Sequence, residues 1–215
     1  MKKIIIDPGH GGNGRLTRFG ASGNGLLEKE LNLEYAMEIA KVLEENFYVD
    51  VELTRTGDYD VSWTDRAAFG RGADLLYSVH FNGFHDPRAN GFETFIWNGN
   101  VRPETKRNQD IIHNAIYSYL YGYDIRDRGM KRANFAILRM PPCSCVLAEY
   151  GFITNPREAT IFKQPQTREL VALETATGIA VATNLPAKPL KPQPKKLKEI
   201  LENIRTQLDE AIALA

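Results

Sequence analysis

The chain has 215 residues, 43% of them hydrophobic, and its Lys plus Arg and Asp plus Glu are balanced at 27 each. This is enough to bury one sizeable core, and it excludes a disordered or fibrous chain. It also lacks the basic excess by which a protein is held to nucleic-acid phosphates, so no nucleic-acid partner is expected.

Lys2 to Asp7 is a β-branched run closed by Pro8-Gly9, the pattern of a strand covered on both faces, which places His10 just past its C-terminal end. The run is too short for a signal peptide and no small-residue cleavage site follows it, so synthesis is expected to end in the cytoplasm. No apolar run approaches the roughly 20 residues that cross a bilayer. After a glycine-rich stretch from Gly11 to Gly25, Leu31, Leu33, Met37, Ile39, Ala40 and Leu43 recur near helical spacing up to Asn46, with Glu28 by the helix start. Val49 to Thr54 reads as a strand, Asp65 to Arg71 as a helix, and Leu75 to Val79 as a strand ending at His80. Gly91 to Trp97 alternates as a strand should, and a helix is expected from about Glu104 to Tyr121. Phe135 to Leu138 and Cys145 to Glu149 read as further strands, the second ending at Glu149 before Gly151.

Strands alternating with helices predict a single α/β domain over residues 1–185, its mixed, mostly parallel central sheet flanked by helices on both faces. Closely spaced prolines then mark a Pro/Lys-rich linker, residues 186–196. Beyond it Leu197, Leu201, Ile204, Leu208, Ala211 and Ala215 form the seam of a short amphipathic helix, residues 197–215. That seam is expected to dock on the parent domain or to self-associate, with affinity of the lysine-rich linker for an anionic polymer as a weaker alternative.

Ligand crevices of such sheets lie beyond the carboxyl ends of the parallel strands, so His10, His80 and Glu149 converge on one rim if these strands are parallel. A hydrolytic zinc site needs three imidazole or carboxylate ligands, an open position for water, and a separate carboxylate to move the proton. Two histidines and a glutamate satisfy this. The spacing is nevertheless not a compact signature such as H-E-x-x-H, and by itself the Pro-Gly-His turn reads rather as the cap of a strand than as a ligand.

Ile4-Ile5-Ile6-Asp7-Pro8-Gly9-His10-Gly11-Gly12 and Leu27-Glu28-Lys29-Glu30-Leu31-Asn32-Leu33 resemble the opening motifs of zinc N-acetylmuramoyl-L-alanine amidases of bacterial autolysins and phage endolysins. The resemblance continues in order through Leu53-Thr54-Arg55-Thr56-Gly57-Asp58, Asp65-Arg66-Ala67-Ala68, Ala73 to Asn82, Gly91-Phe92-Glu93-Thr94, and Leu147 to Pro156. It implies one Zn2+ held by His10, Glu28 and His80, with Glu149 as catalytic acid/base. It also implies a peptidoglycan substrate, cleaved between the muramic lactyl group and L-alanine. Without a leader, such an enzyme is expected to act on the wall after release, most simply as an endolysin. The rivals are another zinc wall hydrolase, either a stem peptidase or a sugar deacetylase, and a non-catalytic wall-binding module on the same fold.

Other residues carry weaker expectations. Glu30 competes with Glu28 but reads as a helix-dipole carboxylate. His85 reads as a loop histidine and His113 as a packed helix residue. Asp7 and Asn82 either orient the histidines or stabilise turns. Arg55, Arg66 and Arg139 either pair with carboxylates or meet acidic groups of the substrate, and the sequence leaves both open. Phe81 and Phe84 stand where smaller residues are common in the family, and either narrow the groove or stack on sugar. Pro141-Pro142-Cys143-Ser144-Cys145 departs from the family's approach to the glutamate strand, and the two cysteines read as structural, with zinc ligation the alternative.

Overall fold

The structure, a computed structural model, describes residues 1–16 and 19–189. Strand β1 (Lys2–Pro8) buries Ile4, Ile5 and Ile6 completely, as a central strand covered on both faces must. A two-stranded hairpin, β2 (Ser22–Gly23) and β3 (Leu26–Leu27), leads into α1 (Glu28–Asn46). The chain continues through β4 (Val49–Leu53), α2 (Trp63–Phe69), β5 (Leu75–Asn82), β6 (Phe92–Trp97), α3 (Pro103–Leu120) and β7 (Asp127–Ala133). It ends in α4 (Ala136–Arg139), β8 (Ser144–Phe152), α5 (Pro156–Phe162) and α6 (Pro165–Thr183).

Six strands form one sheet in the order β4-β1-β5-β8-β6-β7. The first four are mutually parallel; β6 is antiparallel to β8 and parallel to β7. The expected mixed, mostly parallel sheet with helices on both faces is thus what forms. The reversal matters for the site, because it brings the starts of β6 and β7 to the rim where β1, β5 and β8 end.

The two faces are covered unequally. Helices α1, α3 and α6 pack on one, around Ile4, Ile6, Tyr35, Ile112, Ile116 and Ile179. Among the described residues only α2 and α4 serve the other, where Ile5, Leu76 and Leu147 meet Ile137 and Leu138.

Phe135 to Leu138 is not a strand. Ile137 and Leu138 are consecutive and both enter the same apolar cluster, which the two-residue period of a strand forbids and a helical turn permits. The edge position is taken instead by β7, whose Asp127, Met130 and Arg132 are exposed. An edge strand held through one neighbour needs no apolar alternation, so its sequence carries little signal. Helices α5 and α6 also follow the last expected strand without having been anticipated.

Of the linker, the first residues fold back on the end of α1, with Lys188 N donating to Asn46 O at 2.7 Å. Residues 190–196 and the amphipathic helix at 197–215, with its docking or self-association, lie outside the described residues. No helix among the described residues is long and apolar enough to cross a membrane.

Candidate metal centre

The end of β1 is a turn that few sequences could make. His10, Gly11 and Gly12 all have positive φ, at 60°, 131° and 60°. A histidine in the left-handed region persists only where its surroundings hold it there. Here two buried arginines do so. Arg55 donates to Pro8 O at 2.9 Å and to Gly9 O at 2.9 Å, while Arg66 donates to Pro8 O at 2.8 Å and also to His10 O. Arg66 is anchored in turn on buried Asp7 at 2.6 Å, and Asp7 accepts further bonds from Thr54 and Ser78. Burial works to raise the Asp7 carboxyl, but the Arg66 charge and these hydrogen bonds outweigh it and hold it below its ordinary value. Gly9 leaves room for the opposite wall, since a Cβ there would lie 2.2 Å from the His80 ring.

Glu28 enters from the first turn of α1. Its Oε1 lies 2.9 Å from His80 Nδ1 and 3.2 Å from His10 Nε2, and the two imidazoles meet edge to face with centroids 5.0 Å apart. Ala21 N donates to the other oxygen at 2.6 Å, and Asn32, one turn along α1, reaches Oε1 at 3.4 Å and Gly9 O at 3.1 Å. Burial pushes the Glu28 carboxyl upward, but hydrogen bonds from His10 and His80 outweigh this and keep it ionised. His80 is shifted down by burial, which favours the neutral imidazole that ligates metal.

One ligand atom from each of His10, Glu28 and His80 lies within 4.8 Å of the others. Ligands of a tetrahedral ion with bonds of 2.0–2.2 Å stand about 3.3 Å apart, so the Glu28–histidine separations suit such an ion. Three protein ligands of this nitrogen and oxygen type are the set of a catalytic rather than a structural zinc site. The donors therefore fit the group that the sequence implies.

Glu149 stands beside them. It pairs in register with His80 of β5 on one side and with Glu93 of β6 on the other, so one row crosses three strands at the rim. Its Oε2 is buried, without a hydrogen-bond partner among the described residues. Burial pushes its carboxyl well above the usual range, and the charges of Glu28 and Glu93 add to this. Glu93, by contrast, is fully engaged with Asn82 at 2.7 Å, Arg128 at 2.9 Å and Lys131. His10, Glu28 and Glu149 line an open cleft of about 480 Å³, together with Gly20, Phe84 and Thr154 among others.

The remaining expectations divide. Glu30 is exposed, and the carboxylate between the histidines is that of Glu28. Asp7 bonds Arg66, which in turn caps His10 O, and Asn82 donates to Glu93. Arg55 and Arg66 are structural, whereas Arg139 is exposed and bonds Asn134. Phe81 is buried against Tyr35, Tyr150 and Phe162 and cannot stack on sugar; Phe84, 51% exposed, lies on the cleft against His85. His113 is packed between Thr94 and Asp127. Both cysteines are free, and Cys145 donates to Ile137 O.

Sequence reasoning missed Asn32, Glu93 and Glu158. The signal for Asn32 was present, because it lies four residues after Glu28 on a helix face otherwise buried through Leu31 and Tyr35. Glu158 had none: its carboxylate receives Gly91 N at 2.8 Å and Phe152 N at 2.7 Å, joining the start of β6 to the end of β8.

A family profile described as N-acetylmuramoyl-L-alanine amidase matches residues 4–181. The chain is 40% identical over 188 residues to N-acetylmuramoyl-L-alanine amidase CwlM of Bacillus licheniformis, covering 86% of this chain and 70% of that one. It is 36% identical over 200 residues to the endolysin of Bacillus phage SPP1, covering 91% and 72%. Among solved structures, the N-acetylmuramoyl-L-alanine amidase from Clostridium difficile 630 superposes with a TM-score of 0.78 at 30% identity, over 85% of this chain and 97% of that one. With the profile spanning nearly the whole sheet and two long relatives above one-third identity, the chain belongs to the N-acetylmuramoyl-L-alanine amidase family.

Proposed function

We propose that this chain is a zinc-dependent peptidoglycan amidase that hydrolyses the bond between the lactyl group of N-acetylmuramic acid and the L-alanine of the stem peptide. His10, Glu28 and His80 would hold the ion and Glu149 is the acid/base. The observation that carries this reading is the convergence of three ligand atoms within 4.8 Å beside a carboxylate whose Oε2 has no partner.

When bound, a zinc ion supplies a Lewis acid for the scissile carbonyl and makes water acidic enough to react near neutral pH. Glu149 does the proton work. Its unpartnered oxygen takes a proton from the water as that water adds to the carbonyl carbon, then passes a proton to the departing nitrogen. L-alanine leaves as a free amine, and the lactyl group remains as a carboxylate. Burial raises this carboxyl's affinity for protons, which favours the acid half of the transfer, in which it carries the proton to the nitrogen. Glu28 stays ionised and is held at both oxygens, which fixes it against the two histidines.

The likeness to a phage endolysin and to a Bacillus amidase supports a lytic role on the wall, as an endolysin or autolysin. Mass spectrometry of digested sacculi tests bond and metal together. New L-alanine amino termini on intact glycan chains are expected, lost with a chelator and restored by zinc. Cleavage within the stem, loss of acetyl groups from sugar, or indifference to the chelator would overturn the reading.

A further inference from the structure

A second cleft, about 600 Å³, opens at the same rim of the sheet. It is lined by Tyr117 and Tyr121 from the end of α3, by Arg126 and Asp127 at the start of β7, and by Asn90 and Asn155. The two clefts adjoin across consecutive residues, since Thr154 lines the first and Asn155 the second. The loop from Gly83 to Asn90 spans both and is tied to this saddle twice. Phe84 N donates to Thr154 Oγ1 at 3.1 Å, and Asn155 Nδ2 donates to Ala89 O at 3.2 Å. Beneath the saddle, buried Glu158 joins β6 to β8, so the spacing between the clefts is set by the sheet.

The chemistry of the lining is selective. Tyr121 is 72% exposed and stands edge to face with Tyr117, their centroids 6.2 Å apart. Among the described residues, neither hydroxyl has a hydrogen-bond partner, whereas the neighbouring Tyr119 and Tyr123 hydroxyls bond each other at 2.7 Å. The Arg126 guanidinium is likewise without a partner among the described residues, its backbone oxygen alone accepting from Phe92 N at 2.8 Å. Arg157, by contrast, is spent on the backbone oxygens of Tyr123 and Asp124. Two arginines face two aspartates, Asp124 and Asp127, so the cleft has no net charge to draw an anion. Amphipathic aromatic rings beside uncommitted hydroxyl and guanidinium groups match a neutral polyhydroxylated chain, whose C–H faces lie on rings while its hydroxyls and N-acetyl groups take the polar atoms.

We propose that this cleft is a glycan subsite, holding N-acetylated sugars of the wall polymer while the attached stem peptide lies across the metal cleft. The identity of the polymer rests on the amidase reading above; the sugar chemistry of the cleft does not. The probe is chitotetraose, which carries N-acetyl sugars but neither lactyl group nor peptide, titrated into the 15N-labelled full chain. Shifts confined to amides of Tyr117, Tyr121 to Asp127 and Asn155 are expected. Replacing the exposed Tyr121→Ala should weaken binding at least fivefold, and Arg126→Ala should weaken it less. Absence of shifts in this cleft, undiminished binding by Tyr121→Ala, or the same amides responding to a free stem tetrapeptide instead of the glycan would each overturn the proposal. If no amine is released from sacculi while chitotetraose still shifts the cleft, the amidase reading falls and the glycan subsite stands.

Discussion

The two walls of the metal cleft are built on opposite principles. On the β1 side the charged groups and the turn carbonyls are committed: Arg55 and Arg66 clamp the carbonyls of the His10 turn, Asp7 holds Arg66, and Glu28 receives donors at both oxygens, while Asn32 Oδ1 alone among these supports is buried unpaired among the described residues. On the β8 side Glu149 has a buried oxygen with nothing bonded to it. A ligand set must not move, so its charged supports are held by bonds. A group that gives and takes a proton must keep an uncommitted oxygen, and its local instability is the consequence. Glu93 sharpens the contrast, because it occupies the same register row as Glu149 and yet is satisfied three times over.

The most severe test of this contrast is Glu149→Gln, which keeps the shape of the wall and removes its proton chemistry. Turnover on sacculi should fall about 10²–10⁴-fold while zinc binding, followed by calorimetry, is retained. Normal turnover would remove Glu149 from the mechanism. On the opposite wall, Arg66→Met should destabilise the fold by about 3–5 kcal/mol, because Asp7 is left as a buried charge with no cation. Denaturant unfolding checks this, and a loss confined to activity would mean that the clamp is not structural.

A smaller effect separates the walls by pH. In chelator-treated protein, Glu149→Gln should be more stable than wild type at neutral pH and indistinguishable from it in acid. Below the ordinary value of 4.5 the Glu149 carboxyl is protonated in folded and unfolded chains alike. Above it, the unfolded chain ionises while burial keeps the folded carboxyl protonated, so wild type loses stability as pH rises toward the folded value and the glutamine variant does not. Melting curves across this range are the measurement, and equal pH slopes would contradict the raised affinity for protons.

Much of this architecture is legible in the residues. The central strands announce themselves as β-branched runs ending in Pro8-Gly9, His80 and Glu149, since a strand buried on both faces must be apolar throughout. Strand β7 and the turn Ala136–Arg139 were not legible, because an edge strand and a four-residue helix draw their stability from neighbours rather than from any period of their own. The roles of Arg55 and Arg66 stayed open for the same reason. A buried arginine and a surface one look alike until the carbonyls that it caps are known.

By itself the sequence determined the α/β class, the strands toward whose carboxyl ends His10, His80 and Glu149 lie, although β5 runs on to Asn82 and β8 to Phe152, and the motifs through which the family is visible. Those are local matters, fixed by periodicity and by residue type at a turn. Only the tertiary structure decided that Glu28 Oε1 lies between the two imidazoles, that Glu149 is left unbonded while Glu93 is not, and that a second, tyrosine-lined cleft shares the rim. Each of these depends on which strands become neighbours and on the reversal of β6, long-range choices made by packing that no local pattern encodes.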